Sequence, residues 1–94
     1  MKLTFEWDES KAQENLKKHK VSFNEAKTVL MDSFSITIPD PEHSIDEPRY
    51  IDIGTSDKNR VLVVVYTERG NKIRLISCRK ATAVERRKYE EGNA

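Results

Sequence analysis

With 94 residues, the chain is long enough for one hydrophobic core and too short for two, so we expect a single domain over residues 1–94. Hydrophobic residues make up 36% of it and charged residues 35%, which predicts a thin core beneath a heavily charged surface. It has no apolar run long enough for a membrane span, no signal-peptide pattern and a single cysteine, Cys78. We therefore expect a reduced, cytoplasmic protein that does not contact a membrane.

The net charge of +1 conceals a division along the chain. Residues 1–56 contain 7 basic and 11 acidic side chains, whereas residues 57–94 contain 10 basic and 5 acidic ones. A basic face of this kind can bind a polyanion, although the isoelectric point of about 7.8 is low for a nucleic-acid-binding protein. A solvated sheet edge followed by an ordinary charged helix would explain the same pattern.

The first predicted elements are a strand and a helix. Apolar and polar residues alternate over Lys2–Trp7, which is typical of a half-buried strand. Asp8 can then cap a helix that ends near His19. This helix has few apolar residues, so we expect it to pack through few contacts.

A second helix, a short strand and a loop follow. Ser22 and Glu25 have the spacing of a capping box, in which each side chain accepts a hydrogen bond from the other residue's backbone N–H. The apolar stripe of this helix consists of Phe23, Ala26, Val29 and Leu30. Ser35–Ile38 is a predicted strand, and residues 39–48 contain all three prolines and form a predicted loop.

The remainder predicts a β-meander and a final helix. Strands are expected over Arg49–Thr55, Val61–Tyr66 and Lys72–Lys80, and Thr82 and Glu85 repeat the capping-box spacing. Strict alternation along the third of these strands places Ile73 and Leu75 on one face and Ile76 and Cys78 on the other. The predicted order is β-α-α-β-β-β-β-α, an α+β fold with a mostly antiparallel sheet and packed helices.

The chain does not contain the patterns of cofactor or metal chemistry. Its three glycines do not form a phosphate-binding loop, and Cys78 lies in an apolar strand, where a core role is expected. His19 and His43 are on different elements without the spacing of zinc ligands. We expect neither a cofactor nor a metal.

The remaining residues suit acid–base chemistry on a phosphodiester. RNA supplies its own nucleophile, the 2′-hydroxyl, so a metal-free ribonuclease needs a base, an acid and cations that stabilise the phosphorane. Histidine can serve in either proton transfer, and His19 and His43 are the candidates. Ordinary alternatives are a histidine that interacts with the helix dipole for His19 and a solvent-facing loop residue for His43.

Basic residues on or beside the meander are the candidates for phosphate contacts. They are Arg49, Arg60, Arg69, Arg74, Arg79 and Lys80. Alternation puts Arg74 and Lys80 on one face and Arg79 on the other, so we do not expect all of them to serve one site. Arg79 and Lys80 are favoured because they precede a helix N-terminus, where anions bind. A solvated or ion-paired surface charge is the alternative for each residue.

Four segments, taken in order, resemble the BrnT toxins of type II toxin–antitoxin systems. They are FEWDESKAQENLKKHKVSFNEAKTVL (5–30), HSIDEPRYIDIG (43–54), NRVLVVVYTERGNKIRLISCRKAT (59–82) and ERRKYE (85–90). The similarity covers nearly the whole chain, and the combination of FEWD, KH-VSF, VVYTERG and RKAT is specific.

The resemblance implies a RelE-like fold and a ribonuclease that stops translation. It also implies an inhibitory BrnA antitoxin, which dimerises through a ribbon-helix-helix domain, so that operator DNA is contacted only through the antitoxin. Site candidates carried over by position are Lys18, His19, His43, Glu47, Arg69, Arg79, Lys80 and Tyr89.

Three positions depart from the family pattern. Lys20 replaces the usual glycine of KHGVSF, Pro48 replaces a glutamate near His43, and Cys78 replaces a common alanine. A glycine at position 20 would end the helix in the left-handed conformation, so Lys20 must accept strain or the helix must end differently. Because two departures adjoin the histidines, a catalytically silent module that binds the antitoxin and completes a repressor complex is the alternative function. A standalone RNA-binding domain is a weaker alternative, since it would need more basic and grouped aromatic residues.

Overall fold

The structure, a computed structural model, describes residues 4–40 and 47–92. Its elements are β1 (Thr4–Glu6), α1 (Glu9–His19), α2 (Phe23–Val29), β2 (Ile36–Pro39), β3 (Arg49–Thr55), β4 (Val61–Arg69), β5 (Lys72–Lys80) and α3 (Ala83–Gly92). This order confirms the predicted sequence of strands and helices. None of the described helices is long and apolar enough to cross a membrane.

The strands form one five-stranded sheet in the order β1-β5-β4-β3-β2. β1 pairs with β5 in parallel, whereas the other neighbouring strands are antiparallel, as expected for a mostly antiparallel sheet. The face that carries Leu62, Val64 and Tyr66 packs against α1 and α2 and is called the core face. The opposite face carries Val63 and Thr55, lies beneath α3, and is called the α3 face.

The core lies between the core face and the two N-terminal helices. Phe23, Ala26 and Val29 of α2 are buried against β4, which confirms the predicted apolar stripe. Trp7 packs edge-to-face on Phe23 with ring centroids 5.8 Å apart. Burying these side chains supplies the main stabilising term for a chain with so few apolar residues.

The helix caps confirm one prediction and correct another. Asp8 Oδ1 accepts hydrogen bonds from the backbone of Ser10 (2.8 Å) and Lys11 (3.2 Å), so Asp8 caps α1 as predicted. The Ser22 hydroxyl accepts from the Glu25 N–H at 3.0 Å, but the predicted return contact from the Glu25 side chain is wrong. That carboxylate is buried, and it binds Arg60 and Ser56 instead.

A β-bulge in β5 overturns the strict alternation. Val65 is opposite Ser77, but the next residue, Tyr66, is opposite Leu75, so Ile76 is an extra residue without a partner on β4. Leu75 and Cys78 therefore both lie in the core. The same shift puts Arg74 and Arg79 on one face, although alternation had predicted opposite faces.

Lys20 ends α1 in the left-handed conformation that the resemblance associates with glycine. Its φ is 62°, and its N–H donates to the Leu16 carbonyl at 2.9 Å. A side chain in this conformation costs about 1–2 kcal/mol. Arg60 donates to the Lys20 carbonyl at 3.4 Å, which ties this helix end to the β3–β4 connection.

Asn15 of α1 completes the part of the β5 edge that lies beyond the end of β1. Its Oδ1 accepts from the Cys78 N–H at 3.0 Å, and its Nδ2 donates to the carbonyls of Cys78 (2.8 Å) and Val21 (2.9 Å). The buried amide thus provides the hydrogen bonds that a neighbouring strand would otherwise supply.

We expect Asn15→Ala to lower the free energy of unfolding by about 3 kcal/mol, because it leaves buried backbone groups of Cys78 and Val21 unsatisfied. Urea unfolding measures the decrease. Gln13→Ala, on the exposed side of the same helix, is the control and should change stability by less than about 0.5 kcal/mol. Equal stability of the two variants would contradict this role.

Candidate functional site

The α3 face carries a row of three charged residues and one buried threonine. Arg49, Thr67, Arg74 and Glu6 are successive partners across β3, β4, β5 and β1. Direct partners point to the same side of a sheet, so the row lies on one surface. Arg79 is on this face as well, because it is opposite Val63.

Each of three arginines on this face contacts a glutamate. The pairs are Arg69–Glu47 with two contacts of 2.8 and 2.9 Å, Arg74–Glu6 at 3.3 Å, and Arg79–Glu85 with two contacts of 2.7 and 2.9 Å. Bidentate contacts fix the plane of a guanidinium group. Arg69 and Arg79 are therefore oriented, and the charges of all three arginines are partly neutralised.

Glu85 has a double role in this arrangement. Its carboxylate accepts from the Thr82 N–H at 2.8 Å, and the Thr82 hydroxyl accepts from the Glu85 N–H at 3.2 Å, which confirms the predicted capping box. The hydrogen bonds from Arg79 are the main reason that the pKa of Glu85 falls to about 2. One side chain thus begins α3 and orients Arg79.

The end of α1 and the middle of β5 form a cleft. It has a volume of about 240 Å³, and its lining includes Lys18, His19, Ile76 and Ser77. Ser77 is opposite Val65 on the α3 face and precedes Arg79 by two residues, which is about 7 Å along a strand. The fold therefore brings His19 and Lys18 to the same edge of the sheet as Arg79.

Other predicted site residues lie elsewhere. Lys80 is exposed and is opposite Leu62, so it is on the core side of β5. Tyr89 donates to Asp32 at 2.6 Å and accepts from Thr55 at 3.0 Å, so it anchors α3 to the rest of the protein. His43 lies outside the described residues.

The groups buried in the core have pKa values unsuited to a nucleophile. Burial raises the pKa of the Cys78 thiol to about 12 and that of the Tyr66 hydroxyl to about 12. Burial also raises the pKa of Asp52, which accepts a hydrogen bond of 2.5 Å from Thr37. Over residues 4–40 and 47–92, no three His, Cys, Asp or Glu side chains are grouped closely enough to hold a metal ion.

Two residues of this region were not among the predicted candidates. Ser77 is in a run of apolar residues, and only the bulge places it beside the cleft. Glu6 contacts Arg74, 68 positions later in the sequence, and no local pattern indicates that pair.

The fold and this region define a small α+β protein with oriented bases on one face of its sheet and a histidine cleft at its edge. Residues 7–85 match the family described as "Ribonuclease toxin, BrnT, of type II toxin-antitoxin system". The chain belongs to this family, which confirms the resemblance found in the sequence.

A solved structure supports the same assignment. The crystal structure of the Brucella abortus ribonuclease toxin BrnT, determined at 1.1 Å resolution, is similar with a TM-score of 0.68 and 25% sequence identity. The alignment covers 86% of this chain and 99% of the Brucella chain. No curated protein sequence matches the chain. As a toxin of a type II system, the chain has an antitoxin as its partner and RNA as its substrate.

The Arg79–Glu85 pair predicts a specific acid dependence of stability. Because the pKa of Glu85 falls from 4.5 to about 2 on folding, its ionised form stabilises the protein above pH 4.5, and this contribution disappears as the pH falls towards 2. Glu85→Gln should therefore flatten the decline of the unfolding free energy between these pH values, as measured by urea unfolding. Glu91→Gln, at the exposed end of α3, should keep the wild-type slope. If the unfolding free energies of Glu85→Gln and Glu91→Gln had the same pH dependence, the stabilising role of the Arg79–Glu85 pair would be contradicted.

Proposed function

We propose that the chain is a metal-independent endoribonuclease that inhibits translation and cleaves RNA at the cleft between α1 and β5. The observation that carries this proposal is the position of His19, which lines the same cleft as Ser77, two residues before the oriented Arg79. A proton-transfer group and a phosphate-binding group are thereby available at one edge of the sheet. The ribonuclease description of the family supports the reaction class.

The reaction proceeds by attack of the 2′-hydroxyl on the adjacent phosphorus. A base removes the 2′-proton, the new P–O bond forms as the bond to the 5′-oxygen breaks, and an acid protonates that oxygen. The products are a 2′,3′-cyclic phosphate and a 5′-hydroxyl, so no co-reactant is consumed. His19 carries one of the two proton transfers, and Lys18 and Arg79 stabilise the charge on the phosphorane.

Arg79 can contact a phosphate without releasing Glu85. The pair uses Nη1 and Nη2, and Nη1 also donates to the Lys80 carbonyl at 3.3 Å. Within the described part of the chain, the Nε–H of Arg79 donates to no other group, and it remains for a phosphate oxygen. Glu85 then acts as a positioning residue for Arg79.

Arginines farther along the α3 face are proposed to bind the RNA backbone beyond the scissile bond. Arg74 is on the same face of β5 as Arg79, and Arg49 and Arg69 extend the basic surface onto β3 and β4. Phosphate contacts of this kind position an RNA strand without reading its sequence. His43 remains the proposed second proton-transfer residue on the grounds of sequence alone.

The proposed partner is a BrnA-like ribbon-helix-helix antitoxin that holds the toxin inactive. Family membership in a type II system supports this partner. Operator DNA would be contacted by the antitoxin and not by this chain. We place both proteins in the cytoplasm, where the RNA substrate of the toxin is found.

A second candidate function is that of a silent module that only binds the antitoxin. It is favoured by the glutamate partners of Arg69, Arg74 and Arg79, which partly neutralise the basic face. Under this alternative the arginines would dock an acidic segment of the partner. Growth arrest by the toxin alone separates the two functions, since a silent module does not stop growth.

Purified wild-type protein should cleave RNA in the presence of EDTA. Arg79→Ala should reduce kcat/KM by an amount that corresponds to a loss of about 2–4 kcal/mol of transition-state stabilisation. Gel analysis of a labelled RNA measures the rate. Lys88→Ala, an exposed base on α3, controls for the removal of one positive charge and should cleave normally. Wild-type protein that leaves RNA intact in EDTA but cleaves it with added magnesium would exclude the metal-independent reaction.

Expression of the toxin without its antitoxin should arrest bacterial growth, and His19→Ala should abolish the arrest because it removes a proton-transfer group. General acid–base catalysis contributes about 10²–10⁴-fold to a rate, which is enough to remove toxicity. Lys17→Ala, in the same last turn of α1 but outside the lining of the cleft, is the matched control for folding. His43→Ala tests the second histidine in the same way. Full toxicity of His19→Ala at equal protein levels would remove His19 from the site.

A further inference from the structure

A second basic cavity lies at the end of the sheet where β4 begins and β5 ends. Its volume is about 460 Å³, and it is lined by Asn59, Arg60, Val61, Lys80, Arg86 and Glu90. The three bases come from three parts of the fold, namely the β3–β4 connection, β5 and α3. They face a single carboxylate among the lining residues.

Two of these bases lack the partners that Arg69, Arg74 and Arg79 have. Over residues 4–40 and 47–92, the side chains of Lys80 and Arg86 make no hydrogen bond or ion pair. Both residues are exposed, so an anion can reach them from solvent. Their charges are available to a ligand without displacement of a protein carboxylate.

The third base is fixed in position. Arg60 binds the buried Glu25 through its Nε at 2.9 Å and through its Nη2, and it also contacts the Lys20 carbonyl. These contacts hold its guanidinium at the cavity wall, and the hydrogen bonds from Arg60 are the main reason that the pKa of Glu25 is lowered. The cavity therefore has one positive charge that is held in place by hydrogen bonds and two, on Lys80 and Arg86, that are not.

The chemistry of the lining indicates the class of ligand. Like charges around a cavity repel one another, and an anion that enters relieves this repulsion. Among the described residues, the lining includes no aromatic side chain on which a base could stack, and Val61 is its one apolar residue. A phosphate group fits this lining better than a nucleobase or an apolar ligand.

We propose that this cavity binds a backbone phosphate of the RNA strand outside the cleavage cleft, with Lys80 and Arg86 as its charged contacts. The inference rests on the proposed ribonuclease function and names a further part of its substrate. Lys80 follows Ser77 of the cleft by three residues, about 10 Å along the strand. Ser77 is on the α3 face and Lys80 on the core side, and the cavity lies at the end of the sheet, where both sides are accessible. An RNA strand that runs from the cleft past the end of β5 therefore reaches the cavity within a few nucleotides of the cut.

The test is binding of a 12-nucleotide single-stranded RNA with 2′-O-methyl groups, which prevent cleavage, measured by fluorescence anisotropy at several salt concentrations. The double variant Lys80→Ala/Arg86→Ala should bind roughly tenfold more weakly, with a salt slope lower by about 0.7 for each phosphate that the protein no longer binds. The matched control, Arg87→Ala/Lys88→Ala, removes the same charge from exposed positions of α3 outside the cavity lining. It should bind within about twofold of the wild type.

Two outcomes would overturn the proposal. Equal weakening of both double variants would show a general charge effect, and unchanged binding by Lys80→Ala/Arg86→Ala would show that RNA does not use the cavity. In the second case, inorganic phosphate is a further probe: if it shifts the NMR signals of Arg86 and Asn59, the cavity holds a free anion. Failure of the ribonuclease proposal would differ from both outcomes, because wild-type protein would then bind the modified RNA and leave unmodified RNA uncut.

Discussion

Ile76 has no partner on β4, and this extra residue determines the face on which every later side chain of β5 lies. Without it, Cys78 would leave the core and Arg79 would turn to the helices α1 and α2. With it, the strand keeps Leu75 and Cys78 buried, presents Ser77 beside the end of α1 and places Arg79 on the α3 face. The bulge also bends the strand away from ideal pairing, at the point where Asn15 binds its edge.

The cleft thus depends on two features, the bulge at Ile76 and the hydrogen bonds of Asn15 to the backbone of Cys78. The bulge interrupts the β4–β5 ladder, and the short β1, which pairs with β5 only over Lys72–Arg74, leaves the rest of that β5 edge without a partner strand. Asn15 binds that edge and brings α1 with it, so that His19, one turn farther on, lies over β5. A small core alone would position this helix weakly, since α1 buries only Ala12 and Asn15.

Much of the fold was predictable because local patterns and the native contacts agree. The Asp8 cap, the stripe of α2 and the reciprocal contacts of Thr82 and Glu85 were all predicted from spacing and are confirmed. The contact predicted for the Glu25 side chain was wrong because Arg60, 35 residues later, offers a buried carboxylate an opposite charge. Spacing rules describe neighbours in sequence, and here a distant charge is the stronger partner.

The candidate site was less predictable, because its geometry also depends on contacts between residues that are distant in sequence. Sequence alone indicated the residue types that we propose for the site, including His19 and Arg79, and the cleft that His19 lines includes Ser77, two residues before Arg79. It did not indicate the bulge, since the Ile73–Cys78 run contains no Gly or Pro to mark one, and alternation consequently separated Arg74 from Arg79. The family assignment, which compares whole segments, was not affected by this local error.

The pairing of β1 with β5 has a consequence for the synthesis of this toxin. The parallel ladder joins Thr4–Glu6 to Lys72–Arg74, and the Asn15–Cys78 contacts join residues 63 positions apart. Folding that depends on such distant partners waits until both have been made. While a ribosome is still translating the chain, His19 has no β5 to pack against, and the cleft does not exist. The order of synthesis thus keeps the nascent toxin from assembling its cleft before β5 has been translated.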